Sequence, residues 1–203
     1  LIVLPTGTGK SIVIAEFLRG ALGRWPETRA VMVTHVKELI QQNHAALVRD
    51  WPEAPAGIYS AGLGQKDLSG SITCAGIQSI YKRAYEIQKC DLLIVDEAHL
   101  IPRLSSTMYG RFIKELREKN PKLKVIGFTA TPFRLDSGEL HRGEDALFSD
   151  IAYEMSILDA VEQGYLSEVL PKAMSTTLDV TGVGTRGGEF IASDLEAAID
   201  QDD

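Results

Sequence analysis

Short apolar runs alternate with stretches of helical period from residue 1 to about residue 130. Runs that are apolar throughout are typical of strands buried on both faces, and their alternation with helices predicts a doubly wound α/β layer. The pattern predicts strands at Leu1–Leu4, Ala30–Thr34, Gly57–Ser60, Ser71–Ala75, Asp91–Val95 and Lys124–Phe128. It predicts helices at Lys10–Ala21, Val36–Arg49, Ile77–Tyr85 and Ser106–Lys119.

The periodicity is weaker in the last third of the chain. A polar stretch leads to Gly143 and predicts a loop. Ser156–Gln163 predicts a helix, because a serine stands at its N-cap and a glycine follows its end. A strand-like run near Met174–Val180 precedes a predicted helix at Ser193–Ile199. Gly182–Gly187 matches a dinucleotide fingerprint, but no helix opens on it, so we expect a surface turn there.

A glycine-rich segment, Leu4-Pro5-Thr6-Gly7-Thr8-Gly9-Lys10-Ser11, links the first predicted strand to the first predicted helix. Such a loop exposes successive backbone N–H groups and points a helix N-terminus at the same place, which favours a bound phosphate. Lys10 adds a charge for the terminal phosphates, and the Ser11 hydroxyl suits Mg²⁺. The segment predicts a nucleoside triphosphate site. Leu4 stands where the strict pattern has glycine, so a glycine-rich turn with an exposed lysine is the alternative.

Two carboxylates, Asp96 and Glu97, directly follow the apolar run Leu92–Val95 of the predicted strand Asp91–Val95. Open α/β sheets bind their ligands at the carboxyl ends of their strands, so both acids are expected at that edge. Asp96 can hold the water shell of a metal ion, and Glu97 can polarise a water molecule towards the γ-phosphate. An acidic surface turn is the alternative, and the glycine-rich loop upstream argues against it.

Composition and charge narrow the class of protein. A chain of 203 residues with 44% hydrophobic and 24% charged residues fits a globular protein with a sizeable core. No apolar run approaches the ~20 residues of a membrane span, and Leu1–Leu4 lacks a basic flank, so we expect a cytoplasmic protein without a signal peptide. The net charge of −7 argues against binding nucleic acid through bulk charge. Cys74 and Cys90 lie in apolar surroundings and predict core residues.

Three motifs in order resemble those of superfamily 2 helicases of the DEAD/DEAH-box type. Pro5–Ser11 resembles motif I, Asp96-Glu97-Ala98-His99 is a DEAH form of motif II, and Thr129-Ala130-Thr131 resembles motif III. The resemblance covers residues 1–168. It implies the first RecA-like domain of a helicase or translocase, a three-layer P-loop NTPase with a mostly parallel central sheet that binds ATP and Mg²⁺.

The resemblance also implies a role for each motif residue. ATP would be held by Pro5, Thr6, Gly7, Thr8, Gly9, Lys10 and Ser11. Mg²⁺ would be held by Ser11 and Asp96, and the catalytic set would be Lys10, Asp96, Glu97 and His99. Coupling of nucleotide to nucleic acid would fall to Thr129, Ala130 and Thr131, on a strand between those of motifs I and II. His99 would hydrogen-bond towards motif III; a bond to a nearby carbonyl is the alternative.

Further segments are similar to the bacterial RadD/YejH-like repair proteins and to the motor subunits of restriction enzymes, which favours DNA over RNA. This resemblance places a nucleic-acid backbone along Thr34, His35, Gly62 and Gln78. Thr34 and His35 directly precede a predicted helix, whose N-terminal N–H groups suit phosphate contacts. Gln78 is alternatively a polar residue at the start of a helix.

Relatives also carry parts that we expect to lie outside this chain, namely an adenine-reading segment upstream of motif I and a second RecA-like domain with an arginine finger. Residues 169–203, with two basic and seven acidic residues, would be an acidic bridge to that second domain. We expect the chain alone to hydrolyse ATP slowly, because an arginine supplied in trans raises turnover about 10³- to 10⁵-fold. The alternatives are a P-loop kinase or metabolic NTPase and a nucleotide-dependent scaffold without motor activity.

Overall fold

A computed structural model describes residues 1–102, 107–134, 138–143, 146, 148–168, 180, 183–186 and 189–199. In these residues the strands are β1 Ile2–Val3, β2 Ala30–Thr34, β3 Ala56–Ser60, β4 Gln65–Lys66, β5 Ile72–Gly76, β6 Leu92–Asp96, β7 Lys124–Thr129, β8 Phe133–Arg134, β9 Gly138–Glu139, β10 Tyr153–Glu154, β11 Thr185–Arg186 and β12 Glu189–Phe190. The helices are α1 Lys10–Arg24, α2 Lys37–Asp50, α3 Ile77–Ile80, α4 Met108–Lys119, α5 Ile157–Glu162 and α6 Ala192–Ile199.

Eight of the described strands form one sheet in the order β10-β1-β7-β6-β2-β5-β3-β4. Every neighbouring pair is parallel except β3 and β4. The carboxyl ends of β1, β7, β6, β2, β5 and β3 therefore share one edge of the sheet. The predicted α/β class with a mostly parallel central sheet is confirmed, and β7 lies between β1 and β6.

Two apolar clusters cover the two faces of the sheet. One contains Met32 and Ile94 with the buried faces of α1 and α2, and the other contains Val33 with those of α3 and α4. Alternate residues of a strand point to opposite faces, so buried strands such as β2 and β6 serve both clusters. The result is the predicted three-layer architecture.

Local sequence explains where the helices begin and end. The Thr107 hydroxyl caps α4 by accepting a hydrogen bond from the Gly110 N–H at 3.2 Å. Ser156 caps α5 as predicted, in a reciprocal capping box with Asp159. Helices α1, α2 and α4 each end one residue before an X-Pro pair, which disfavours continuation.

Two predictions are corrected by the structure, and some short strands were missed. The helix predicted at Ile77–Tyr85 ends at Ile80, and a separate 3-10 turn follows at Ala84–Glu86. The polar stretch predicted as a loop contains the short antiparallel pair β8 and β9. Short edge strands such as β4 and β10 were not predicted, because exposed two-residue strands leave no apolar pattern.

Parts of the C-terminal predictions lie outside the described residues. This applies to 174–179 of the strand-like run and to Gly182 and Gly187 of the glycine-rich turn. The predicted final helix is present as α6. The boundary at residue 168 and the acidic bridge stay predictions.

Cys74 and Cys90 lie in the core, as predicted. Burial raises the pKa of each thiol to about 12, so both are protonated at neutral pH. Among the described helices, none is long and apolar enough to cross a membrane.

Gly127 of β7 provides a test of the packing of this strand against its neighbours. A Cβ there would overlap the Phe148 ring and lie 2.9 Å from the Ala98 Cβ. Gly127→Ala should therefore destabilise the fold by about 1–3 kcal/mol through overpacking. Gly20, inside α1, has nothing within 4 Å of its Cβ position, so Gly20→Ala should instead stabilise by about 0.5–1 kcal/mol. Denaturant unfolding of both variants checks the opposite signs, and equal shifts would contradict this packing.

Candidate nucleotide and metal site

The glycine-rich loop has the backbone shape that an anion site needs. Gly7 and Gly9 adopt left-handed conformations, with φ of 89° and 83°, which residues with a Cβ rarely adopt. The Thr8 hydroxyl donates a hydrogen bond to the Pro5 carbonyl at 2.7 Å, which ties the loop across itself. This hydrogen bond within motif I helps to hold the loop in shape.

Helix α1 begins at the end of this loop, with Gly9 as its N-cap. The N–H groups of Ile12 and Val13 both donate to the Gly9 carbonyl, at 2.9 and 3.2 Å. Within the described chain, no hydrogen bond uses the backbone N–H of Lys10 or Ser11. These two donors and the positive end of the helix dipole are available to a phosphate.

Lys10 contacts the acidic motif directly. Its Nζ lies 2.8 Å from Oε1 of Glu97, although the two residues are 87 positions apart in the sequence. The side chains are 12% and 23% exposed, so the pair is partly shielded from water. The loop after β1 and the acidic end of β6 therefore converge on one point, as their position at a common sheet edge predicts.

Glu97 reaches this point through an unusual backbone. Its φ of 51° makes it the one non-glycine residue with positive φ in the described ranges. A left-handed conformation costs about 1–2 kcal/mol for such a residue. It turns the chain sharply after β6, so that Asp96 stays buried in the strand while Glu97 faces Lys10. Such outliers persist where the surrounding structure holds them, commonly at functional sites.

The structure adds a site residue that sequence reasoning missed, Asn43 of α2. Its Oδ1 accepts a hydrogen bond from the Ser11 hydroxyl at 3.1 Å, and its Nδ2 donates to Oδ2 of Asp96 at 2.7 Å. Burial raises the pKa of Asp96, the Asn43 hydrogen bond opposes that rise, and the Glu97 charge adds to it. Asn43 therefore joins the two residues expected to hold Mg²⁺.

The donor set at this point fits Mg²⁺ rather than a transition metal. No group of three or more His, Cys, Asp or Glu side chains able to hold a metal occurs in the described part of the chain. Mg²⁺ is commonly held by one or two protein oxygens together with substrate phosphates and water. Ser11 and Asp96, linked by one amide, match that pattern.

Motif III lies beside motif II. Oγ1 of the buried Thr129 is 3.0 Å from Nδ1 of His99, and it exchanges hydrogen bonds with the backbone of Thr131 at 2.9 and 3.1 Å. His99 Nδ1 also lies 3.4 Å from Oε2 of Glu97, and an ionised carboxylate only accepts hydrogen bonds. The single proton of the Thr129 hydroxyl goes to the Thr131 carbonyl, so this hydroxyl accepts at the His99 contact, and we place the ring proton on Nδ1. His99 thus makes the contact towards motif III expected from the resemblance.

The residues expected to face nucleic acid lie along the same sheet edge, beyond β2, β3 and β5. His35 and Gln78 are exposed, and the Gln78 Nε2 donates to the His35 carbonyl at 3.0 Å. Gly62 is exposed in the turn after β3, where a Cβ would lie 3.4 Å from the Lys37 side chain. Thr34 differs, because it is 2% exposed and its hydroxyl accepts from the Val36 N–H at 3.4 Å.

This arrangement defines the class of protein. A parallel sheet with a phosphate loop after β1, two acids after β6 and a threonine motif on the intervening β7 is a P-loop NTPase domain of the RecA-like type. It is the first such domain of a superfamily 2 helicase. Residues 1–134 match the family described as Type III restriction enzyme, res subunit. The chain belongs to this family.

Individual relatives agree with this assignment. The chain is 29% identical over 180 residues, 85% of its length, to irc3 of Schizosaccharomyces pombe, whose name is that of a mitochondrial ATP-dependent helicase. The Hef helicase domain of Pyrococcus furiosus shares the fold, with a TM-score of 0.57 at 22% identity over 75% of the chain. So does the SWI2/SNF2 ATPase core of Sulfolobus solfataricus in complex with dsDNA, with a TM-score of 0.52 at 17% identity over 73% of the chain. The chain spans 28% of irc3, 34% of the Hef chain and 29% of the Sulfolobus chain.

Proposed function

We propose that this chain is the ATP-binding and ATP-hydrolysing core of a superfamily 2 motor that moves along or remodels DNA. The observation that carries the proposal is the 2.8 Å contact between Lys10 and Glu97. It brings a phosphate-binding lysine and an acid able to activate water to one place. The family membership and the ATP-dependent helicase among the relatives support the same conclusion.

Each residue of the site has a distinct task in this proposal. The loop Pro5–Ser11 binds the phosphates of ATP through its N–H groups and the Lys10 ammonium. Ser11 and Asp96 would hold Mg²⁺, which when bound would supply positive charge against the negative charge of the triphosphate. When ATP is present, the Lys10 ammonium turns towards the phosphates. Glu97 then contacts the attacking water instead of Lys10, and the Glu97 carboxylate accepts the proton of that water.

Two elements, β7 and α2, connect the nucleotide site to the surroundings through which we propose that nucleic acid is coupled. Strand β7 passes between the strands of motifs I and II, and Thr129 at its end contacts His99. Helix α2 begins beside His35, at the carboxyl end of β2, and carries Asn43 at the nucleotide site. We propose that the backbone of one DNA strand lies along His35, Gly62 and Gln78. Thr34 serves the local turn, because its side chain is buried.

The same proposal includes a second domain, the type of nucleic acid and the cellular location. A second RecA-like domain, reached through residues 169–203, would supply the arginine that completes the site. DNA rather than RNA as substrate and a cytoplasmic location are part of the proposal. Two proteins that share the fold, the Sulfolobus SWI2/SNF2 ATPase core and the restriction-modification enzyme LlaGI, form complexes with dsDNA and with a DNA substrate mimic, which supports the choice of DNA.

The 203-residue chain itself tests the proposal. It should bind ATP in the presence of Mg²⁺ and release phosphate to water slowly. Single-stranded DNA should bind without sequence preference, and its affinity should fall steeply with salt because the contacts are to phosphates. Calorimetry, phosphate release and DNA titration at several salt concentrations measure these three properties. Transfer of phosphate to a small molecule would indicate a kinase instead, and ATP binding without any hydrolysis would indicate a scaffold.

A further inference from the structure

Asn43 lies between the two residues that hold Mg²⁺ in the proposed function, and no helicase motif described above includes it. It is 4% exposed, and both ends of its amide are used: Oδ1 by the Ser11 hydroxyl and Nδ2 by the Asp96 carboxylate. The bond to Asp96 is the shorter, at 2.7 Å against 3.1 Å. Asn43 therefore contacts one metal ligand from motif I and one from motif II.

The donors and acceptors of these hydrogen bonds fix the orientation of the Asn43 amide. Oδ1 of Asp96 accepts from the Glu97 N–H at 3.0 Å, and its Oδ2 faces Asn43. Both oxygens of Asp96 accept hydrogen bonds, so the NH₂ group points to Asp96 and the carbonyl to Ser11. The only proton of the Ser11 hydroxyl is then directed to Asn43. Its oxygen lone pairs are left for a cation, as a metal ligand requires.

Asn43 also occupies a position that packing alone would fill with an apolar residue. Ile40 and Leu47, three residues before it and four after it, form the buried stripe of α2 with it. A leucine at this position would continue the stripe. The amide instead reaches across to the first turn of α1 and to the end of β6, so its contacts tie α2 to both halves of the site.

We propose that Asn43 is a positioning residue of the Mg²⁺ site, which orients the Ser11 hydroxyl and holds the Asp96 carboxylate for the metal. The inference rests on the proposed function, because it requires that Ser11 and Asp96 serve Mg²⁺. Hydrogen-bond partners that orient metal ligands in this way typically change metal affinity about 10- to 100-fold when they are removed. Asn43 acts through these two ligands and does not itself contact the substrate.

The first test compares ATP affinity with Mg²⁺ and with EDTA, measured by calorimetry on the 203-residue chain. Asn43→Leu should reduce the gain in affinity that Mg²⁺ provides by about 10- to 100-fold, while affinity in EDTA changes little. Leu47→Ala is the matched control, because Leu47 is 1% exposed on the same helix and lies in the apolar cluster. It should lower the melting temperature and leave the Mg²⁺ gain as in the wild type. An unchanged gain in Asn43→Leu would overturn the inference.

A second variant keeps the test decisive if Asn43→Leu does not fold. Asn43→Asp preserves the size of the side chain and the acceptor facing Ser11, but it places a second carboxylate against Asp96. The two carboxylates repel, and a divalent cation relieves that repulsion. Mg²⁺ without nucleotide should therefore raise the melting temperature of this variant and not that of the wild type. Equal responses of both proteins would overturn the inference.

The outcomes separate this inference from the function on which it rests. If wild-type affinity for ATP does not depend on Mg²⁺, the proposed function fails and the role of Asn43 fails with it. If the wild type depends on Mg²⁺ and the Asn43 variants show the same dependence, only the positioning role fails.

Discussion

Replacing Glu97 with glutamine is expected to lower the rate of ATP hydrolysis by about 10²- to 10⁴-fold, which is the range for removal of a general base. Glutamine preserves the size of the side chain and can follow the same left-handed backbone, but it cannot accept a proton from water. Lys10 loses the negative charge of its partner at 2.8 Å and stays available to the phosphates, so ATP affinity should be retained. Phosphate release at saturating ATP, together with calorimetric binding, measures both quantities.

The control for this substitution is the same change at an exposed position. Glu16 on α1 pairs with Arg19 at 2.9 Å, and its side chain is 49% exposed. Glu16→Gln should leave hydrolysis unchanged, because exposed ion pairs contribute little. If Glu97→Gln hydrolyses ATP at the wild-type rate, the activating group lies elsewhere and the assignment of Glu97 is wrong.

The sheet was predictable from the sequence because its strands are buried on both faces. Each of the runs Ala30–Thr34, Ser71–Ala75 and Asp91–Val95 is nearly continuous in apolar or small residues, and each became a central strand. The prediction of one helix at Ile77–Tyr85 was wrong because it also relied on the spacing of buried apolar residues. Ile77 and Ile80 are buried at helical spacing, but Ala84 is buried within a separate 3-10 turn. Spacing alone cannot distinguish these two cases.

The candidate site was predictable as far as its motifs reach. Lys10 and Glu97 were expected at one edge of the sheet because both follow strands of one parallel sheet, and the structure brings them within 2.8 Å of each other. Asn43 was missed because it lies in the middle of a helix, outside any motif, where polar residues are usually exposed. The signal that could have found it is an amide at a buried-stripe position between Ile40 and Leu47. The burial of Thr34 was not predictable from its place before a helix, because it depends on the neighbouring strands β5 and β6.

Replacing Lys10 with alanine is expected to lower the affinity for ATP with Mg²⁺ by about 10- to 100-fold. Hydrogen bonds to charged groups contribute about 1.5–3 kcal/mol, and about 1.4 kcal/mol corresponds to a tenfold change in affinity. The N–H groups of the loop stay in place, so some phosphate binding should persist. Calorimetry with ATP and Mg²⁺ on both proteins measures the effect.

Unfolding of Lys10→Ala would also abolish ATP binding, but the exposure of the Lys10–Glu97 ion pair argues against unfolding. Lys10 and Glu97 are partly exposed, and ion pairs that water reaches contribute only about 0–1 kcal/mol to stability. The melting temperature of Lys10→Ala should therefore stay close to that of the wild type. Lys114, exposed on α4, provides the matched control, since Lys114→Ala removes the same charge far from the loop. Equal ATP affinity in Lys10→Ala and Lys114→Ala would show that the glycine-rich loop does not hold a triphosphate.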